Sequence, residues 1–595
     1  MESRLSGYGP FRDQLSRLWQ RYWWALAFLA SLGFYWRTLG TWFRADDFAW
    51  LGLRLSLHQP SDLWTVLFAP MAQGTVRFLS ERAFFLTLES LFGLEALPFR
   101  VVIVGVQCIS CVLLALVTRK LTGSKLAGVL AAVFWTVSVG LAAAMGWMSS
   151  ANQIFCAAAM LGAFWLFLDR RMLACWVVFL LGFGTLETMV VFPALAIGWA
   201  LIFDRTRLRP AAALLVPSVL FLVLHFAVIP KTALDPAYQL HLDPRSVSET
   251  LRTYLVWAFP LSAVAAVALI WLRNRPALFG ALWFLVLLAP VLPLRDHTLH
   301  YYLAIPLMAL GFLAALLCVC LPRPVMALLA AGLVAGSWIP ARRAFYWQKE
   351  KARAVQQLVR GVEAARAQHP DRVILLAGIS NELFWDGVFD NPFRLVGIKE
   401  VYLAPGADKQ IDAHPEWGGI AAWLLGPAQV KELFEQERVV VYQPSGESLR
   451  NITAAFRVQA ERLGDALAAF VDVADPKFSQ QVGSGWYAPE NGMRWMGARA
   501  TVQVNAQNAP AGLIELQGYA PQALGTIELA VTAGGVLAGT QRLTGADQQF
   551  VLTYPLPAVA KGQAATEISI TASRTFTPAQ DQRQLSVVFG KVGVR

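Results

Sequence analysis

For its first 340 residues the chain alternates long apolar runs with short polar breaks, and beyond them the pattern changes twice. Runs of about 20 apolar residues match the hydrocarbon core of a bilayer, so each predicts a membrane-spanning helix. The first lies at about 22–39. Others follow at about 99–118, 126–145, 151–168, 172–185, 188–203, 211–229, 251–272, 277–292, 301–320 and 324–340, which makes about eleven. Residues 41–97 are too long and too polar for one further span. Within them, 48–57 and 63–68 predict amphipathic helices lying along the membrane surface. Residues 1–20, with Arg4, Arg12 and Arg17, predict another such helix on the cytoplasmic face.

The polar breaks orient the chain. With the N-terminus inside, the predicted cytoplasmic loops carry Arg119, Lys120 and Lys125, then Arg170 and Arg171, then Arg205, Arg207 and Arg209, then Arg273 and Arg275, and finally Arg323. Short loops rich in Lys and Arg stay on the cytoplasmic side. An odd number of spans then delivers the C-terminal region to the outer face. The pivotal break is 184–187, where one long helix in place of two would reverse everything downstream; the loop charges favour two. Residues 1–341 thus form a membrane domain whose first outer loop is 41–97.

Beyond it, 342–368 is charged and helical in pattern, a stalk. The apolar runs after Arg372 and Arg438 read as buried strands of a small α/β unit within 369–479. From 480 to 595, short alternating stretches at 500–504, 513–517, 526–532, 549–554, 567–572 and 585–589, separated by Gly, Pro and Asn, predict an antiparallel β-sandwich. The fold class is a polytopic α-helical membrane protein followed by an extracytoplasmic α/β unit and that sandwich.

Composition agrees and narrows the field. At 56% hydrophobic and 15% charged, with 22 Trp and 36 Phe, the chain is not a single soluble globule. The net charge of +11 fits basic cytoplasmic loops better than a nucleic-acid surface, so no nucleic-acid partner is expected. All six Cys lie in apolar segments, which predicts neither a disulfide framework nor a CxxC metal site. The first apolar run lacks a small-residue cleavage site and reads as an anchor.

The candidate chemistry starts at Asp46 and Asp47, adjacent carboxylates just past the first span. Ionisable groups at a membrane edge are expensive to keep there, so a functional role is the first expectation. A carboxylate can take the proton of an attacking hydroxyl. Two together can instead share a divalent cation, or simply cap the apolar helix that begins at Phe48. Glu187, between apolar runs at an outer edge, would hold a sugar hydroxyl or an Arg, or cap a helix. Cations expected on the outer face are Arg77, Arg82, Lys231, Arg245 and Arg295; Lys231 and Arg245 equally fit lipid headgroups. Residues 295–302 form a compact polar loop with His297, His300, Tyr301 and Tyr302, whose two His lack a third metal ligand and read as hydrogen-bonding groups.

Several segments together resemble the C-type (GT-C) polytopic membrane glycosyltransferases. The Asp46–Asp47 pair stands in the first outer loop. Arg77, followed by Leu91, Phe92, Gly93, Leu94 and Glu95, is similar to that superfamily's arginine–proline stretch, with Phe78 where Pro is usual. Gly146 to Asn152 resemble an outer turn between the third and fourth spans. Thr185, Leu186, Glu187 and Thr188, before Phe192 and Pro193, resemble its lysine–glutamate segment with Leu186 in place of Lys. His300 to Pro306 resemble the start of a late span. The resemblance covers about residues 20–320. It implies an inverting enzyme of the bacterial cytoplasmic membrane that takes a sugar from a polyprenyl-phosphate carrier to an extracytoplasmic glycolipid, polysaccharide or protein. Asp46 or Asp47 would be the base, a divalent metal would be an optional partner of the same pair, and Arg77, Arg82, Glu187, Lys231, Arg295, His297, His300, Tyr301 and Tyr302 would serve the donor. The C-terminal part resembles an accessory β-sandwich, in which Trp486 and Trp495 either stack on sugars or pack the core. Two rival classes remain open, a lipid-linked sugar flippase and a non-catalytic glycan-binding scaffold. The sequon at Asn451 is read as chance.

Overall fold

The computed structural model describes residues 18–70, 75–228, 238–412, 420–425, 427–463, 467–478, 481–490, 492–507, 509–545, 548–577 and 583–595. The expected surface helix at 1–20 falls almost entirely outside them, as does Lys231. The chain divides into two compact units. One is Met1–Gln356 with Trp385–Leu395; the other is Gln357–Phe384 with Val396–Arg595.

The first unit is helical. Among the described residues four helices are long and apolar enough to cross a membrane: Ala96–Thr122, Ala151–Leu168, Arg205–Ala227 and Arg323–Gln368. Two bent pairs raise that to six if each is one span, and four shorter apolar helices accompany them. The bends depart from the straight spans that hydropathy predicts. The run at 126–145 is two helices, Lys125–Thr136 and Val139–Gly146, at 57° to one another. The run at 251–272 is the second half of Pro244–Trp257 followed by Leu261–Leu272, turned by 105°. Pro260 sits at that corner and has no N–H to continue the first helix. Arg245, Glu249 and Arg252 recur at helical spacing along Pro244–Trp257, which makes it amphipathic rather than uniformly apolar. The pivotal break does occur: Met172–Gly182 ends, and a new helix starts at Phe192–Phe203 with Pro193 in its first turn.

Close backbone approach holds these helices together. A Cβ on Gly128 would lie 2.5 Å from the Ala115 carbonyl oxygen, and one on Gly311 3.0 Å from that of Ala131. Small residues at such crossings are how helices pack where no hydrophobic effect drives them. The stalk is not separate from the last apolar run. Arg323–Gln368 is one helix of 46 residues that contains Pro340.

The second unit holds three sheets. Strands β1 (Val373–Leu376), β2 (Val401–Leu403), β3 (Val439–Ser445) and β4 (Ser448–Asn451) form a sheet in the order β2-β1-β3-β4, parallel except for the β3–β4 hairpin. The buried run Val373–Leu376 is the pattern of a strand covered on both faces. The remaining strands are β5 (Phe470–Asp472), β6 (Trp486–Glu490), β7 (Met493–Met496), β8 (Arg499–Val504), β9 (Leu513–Ala520), β10 (Thr526–Ala533), β11 (Val536–Thr544), β12 (Gln548–Pro555), β13 (Thr566–Ala572) and β14 (Val588–Val594). They make one sheet ordered β11-β10-β13-β8 and another ordered β12-β9-β14-β7-β6, with β5 on β14. Every neighbouring pair is antiparallel. Side chains of both, among them Val502, Leu529, Ile568, Leu516, Phe589 and Val592, share one core. Trp486 belongs to that packing: its indole N–H donates to the Thr501 carbonyl at 2.9 Å and its ring meets Phe589 edge-on.

Candidate active site

The acidic turn is assembled by a buried arginine that the sequence did not single out. Arg100, near the start of Ala96–Thr122, donates to the carbonyls of Thr41 and Trp42 at 3.1 and 3.4 Å. It also donates to those of Met145 and Gly146 at 2.9 and 3.3 Å. One guanidinium thus ties the stretch that follows the helix Ala25–Tyr35 to the turn that follows the bent helix pair. Its five N–H groups suit this work, since four carbonyls converge on it.

Between these ties the chain makes a sharp turn. Arg44 is buried; its guanidinium pairs with Asp386 at 2.5 Å, donates to Gln348, and lies over the Trp147 ring at 5.0 Å. Ala45 has a φ of +49° and donates its N–H to the Asp386 carbonyl at 2.6 Å. Left-handed backbone is unfavourable for alanine and persists only where the surroundings impose it. Here it sends the next two side chains different ways. Asp47 turns in and is fully buried, accepting from the N–H groups of Arg44 at 2.9 Å and Ser149 at 2.7 Å and from the Ser149 hydroxyl. Asp46 turns out. Its carboxylate has no hydrogen bond or ion pair with another residue among those described, only its own backbone N–H as donor, and it is exposed.

The electrostatics distinguish the two further. Burial pushes Asp47 up to about 6, against the pull of Ser149, Arg44 and Arg100. Asp46 is also raised. The cause is the protein packed around it, which outweighs Arg44, with Glu81 and Asp386 adding to the rise. A group reached by solvent yet surrounded by protein lies in a hollow, and that is the setting of Asp46.

A second cluster faces it. Arg77 reaches both oxygens of Glu187 from Nε, at 3.0 and 2.9 Å, and Glu81 from Nη1 at 2.7 Å. Asn152 donates to the same Glu81 oxygen at 2.9 Å. Burial disfavours the Arg77 charge, but the two carboxylates outweigh it and hold the guanidinium protonated. The meeting of Arg77 and Glu187, 110 residues apart, follows from local stitching. Leu79 N–H donates to the Gly184 carbonyl at 2.8 Å and the Ser80 hydroxyl to that of Thr185 at 2.6 Å. Phe78 lies where a Cβ on Gly184 would stand, 2.3 Å from its ring. Arg82 does different work. It is buried and donates to the carbonyls of Ala69 at 2.5 Å and Thr75 at 2.8 Å, pinning its own loop.

The 295–302 loop supplies the aromatic side. Tyr301 packs on Trp147 at 5.8 Å and on Tyr302 at 4.9 Å, and it lies within electrostatic reach of Asp46 and Arg77. His300 stacks on Trp257 at 4.1 Å, and His297 packs against Tyr238 and Tyr302. Arg295 stands half exposed, 3.5 Å from Glu249 and 3.4 Å from the Ser246 hydroxyl. Arg245 pairs with Glu249.

One contributor comes from far along the sequence. The segment Trp385–Leu395 packs with the helical unit. It brings Asp386 to Arg44 and to Lys351 at 3.2 Å. It also brings Asp390 within electrostatic reach of Asp46 and Asp47. Burial, then Asp46, push Asp390 up to about 7, against the pull of Arg394. Asp47 already accepts three donors, two on Oδ1 and one on Oδ2, so a cation shared with Asp46 would have one lone-pair site of Asp47 left to it. Among the described residues no three His, Cys, Asp or Glu are placed to hold a metal.

No family model and no curated protein matches the chain. Among solved structures it is similar to the oligosaccharyltransferase of Archaeoglobus fulgidus in the apo form, at 10% identity over 96% of each chain with a TM-score of 0.43. It is also similar to ArnT from Cupriavidus metallidurans bound to undecaprenyl phosphate, at 15% identity over 75% of this chain and 96% of that one, TM-score 0.40. The arabinosyltransferase EmbB from Mycobacterium smegmatis matches at 11% identity over 96% of this chain and 64% of that one, TM-score 0.29.

Proposed function

We propose that the protein is an inverting membrane glycosyltransferase that moves a sugar from a polyprenyl-phosphate carrier to an extracytoplasmic glycan, lipid or protein, with Asp46 as general base. One observation carries the reading: of two adjacent acids, Asp47 is consumed by the fold while Asp46 is open to solvent with no partner side chain among the described residues. An exposed carboxylate with a raised pKa, walled by Arg44, Glu81 and Tyr301, is poised to accept a proton. The acceptor hydroxyl attacks the anomeric carbon, its proton passes to Asp46, and the bond to the phosphate oxygen breaks. The lipid phosphate leaves as an anion, so it needs cations rather than an acid. Arg77 is already matched by Glu187 and Glu81 and in this mechanism orients the donor side. Arg295, half exposed and loosely held on the loop that carries Tyr301, meets the phosphate. The reading includes about eleven spans, an inside N-terminus and a C-terminal sandwich outside.

The test uses purified protein in liposomes with radiolabelled undecaprenyl-phosphate hexoses as donors. Asp46→Asn should lower transfer by about 10²–10⁴-fold, the range a positioned base supplies. Full transfer by that variant would overturn the assignment. Movement of intact labelled lipid across the vesicle, without cleavage of the sugar bond, would instead favour a flippase.

A further inference from the structure

The segment Trp385–Leu395 lies about 340 residues beyond the acidic turn, yet it packs against both flanks of that turn, bonded at one and in contact at the other. On one side Asp386 takes the Arg44 guanidinium at 2.5 Å and the Ala45 N–H at 2.6 Å. On the other, Arg394 lies over Gly52, where an added Cβ would stand 2.3 Å from its Nη2. Asp46 and Asp47 fall between Ala45 and Gly52, and Asp390 falls midway between Asp386 and Arg394. The two contacts therefore set Asp390 opposite the acidic pair, and its electrostatic coupling to both aspartates agrees. Asn391, the next residue, has a φ of +49°, and its N–H closes a turn onto the Val388 carbonyl at 2.9 Å. Asparagine tolerates this left-handed conformation, and the turn it closes fixes the backbone beside Asp390.

A carboxylate brought this far to face another carboxylate needs a reason. It adds repulsion at Asp46, and no donor within the strap offsets it apart from Arg394. The surroundings supply that reason. Around Arg44 and Glu81, which are coupled to Asp46, four buried polar atoms have no hydrogen-bond partner among the described residues: Glu81 Oε2, Asn152 Oδ1, Arg44 Nε and Trp147 Nε1. Two accept and two donate. Orphaned buried groups of both kinds are unfavourable until a ligand meets them. A bare cation would answer only the acceptors, whereas hydroxyl groups answer both. An anionic phosphate is repelled by the facing carboxylates, which leaves this side to the uncharged acceptor.

We propose that Asp390 is an acceptor-binding residue of the Asp46 site, carried there by the strap Trp385–Leu395 to receive a hydroxyl of a sugar acceptor. This rests on the glycosyltransferase reading and names what its acceptor side recognises. The test is steady-state transfer by the full-length protein in liposomes, from undecaprenyl-phosphate hexose to n-octyl β-D-glucoside as a sugar-headed probe. Asp390→Ala should raise the KM for the probe about tenfold or more, the loss of one hydrogen bond to a charged group, while the donor KM moves less than twofold. Asp390→Glu should recover part of the probe affinity, and a melting curve like wild type for either variant separates binding from folding. An unchanged probe KM in a folded Asp390→Ala protein would overturn the proposal. So would recovery of that variant by added Mn²⁺, which would make Asp390 a metal ligand. Full transfer by Asp46→Asn would instead overturn the underlying reading, since it removes the base and leaves Asp390 intact.

Discussion

Asp46 and Asp47 differ in fate because one alanine before them is left-handed. Asp47 gains three donors and loses its water, and burial prevails in its pKa. The folded form therefore keeps its proton to about pH 6, while the unfolded chain gives it up near its ordinary 3.8. In that window the folded state binds more protons than the unfolded one, so this group makes stability fall as pH rises, by up to about 3 kcal/mol. Asp47→Asn should remove that slope from a plot of melting temperature against pH between about 4 and 6. It should also destabilise the protein at neutral pH by roughly 1–3 kcal/mol, because the amide NH₂ must face one of two N–H donors. A variant that melts with the wild-type pH slope would show that Asp47 does not titrate there. Arg77 offers a second check. Arg77→Ala leaves Glu81 buried with only Asn152 as partner. It should cost roughly 2–4 kcal/mol, somewhat less than breaking a fully buried pair because Arg77 is a quarter exposed. Arg77→Lys should recover only part, since a single ammonium cannot reproduce the fork that serves Glu187 from Nε and Glu81 from Nη1 at once.

The elements around the site show how far a sequence can be read. Hydrophobic period and loop charge were enough to find an apolar helical region, the 184–187 break and most strands from 499 onward, though not β11 and not which apolar runs are long enough to cross a membrane. Local chemistry was enough to single out Asp46, Asp47, Arg77 and Glu187, and the family resemblance was enough to mark the turn that carries Ser149 and Asn152. The strap was beyond reach. Trp385–Leu395 reads as an ordinary stretch of an α/β unit, and its pairing of Asp386 with Arg44 spans 342 residues without any periodicity. Glu81 and Arg100 were missed for a related reason, since a lone charge near a membrane edge has many uses until its partners are known. The bend between Lys125–Thr136 and Val139–Gly146 was equally hidden, because hydropathy sums over a window and does not register direction. That bend brings Gly140 against the loop that carries Tyr301. A Cβ there would lie 2.7 Å from the Leu303 Cβ and 2.9 Å from its carbonyl carbon. Backbone cannot step aside as a flexible side chain can. Gly140→Ala should therefore cost roughly 1–3 kcal/mol and reduce transfer along with stability. Gly52→Ala meets only the tip of Arg394 and should leave the melting temperature nearly unchanged. Equal melting of the two variants would contradict the packing at Gly140.

At the scale of the whole molecule the chemistry depends on which side of the membrane the acidic turn faces. The basic loops predict that Asp46 lies outside, where polyprenyl-phosphate sugars are presented and soluble nucleotide sugars are not. The same rule places Arg171 inside and the strand β11 outside. Five of the six cysteines are buried and Cys320 is exposed, so a Cys320→Ser background leaves little for a thiol reagent to find. Into it one would introduce Arg171→Cys in a short loop, or Gln541→Cys on β11, both at exposed positions. A membrane-impermeant maleimide applied to intact spheroplasts should label the cysteine at 541 and spare the one at 171 until the membrane is permeabilised. The opposite pattern would put Asp46 in the cytosol, where a base of the same geometry would meet a nucleotide-linked donor, and the polyprenyl-phosphate reading would fall. Sparing of both positions until the membrane is permeabilised would require an even number of crossings between them. It would point to the 105° bend between Pro244–Trp257 and Leu261–Leu272, since a helix pair that turns back does not cross, and one crossing fewer there reverses every loop that follows.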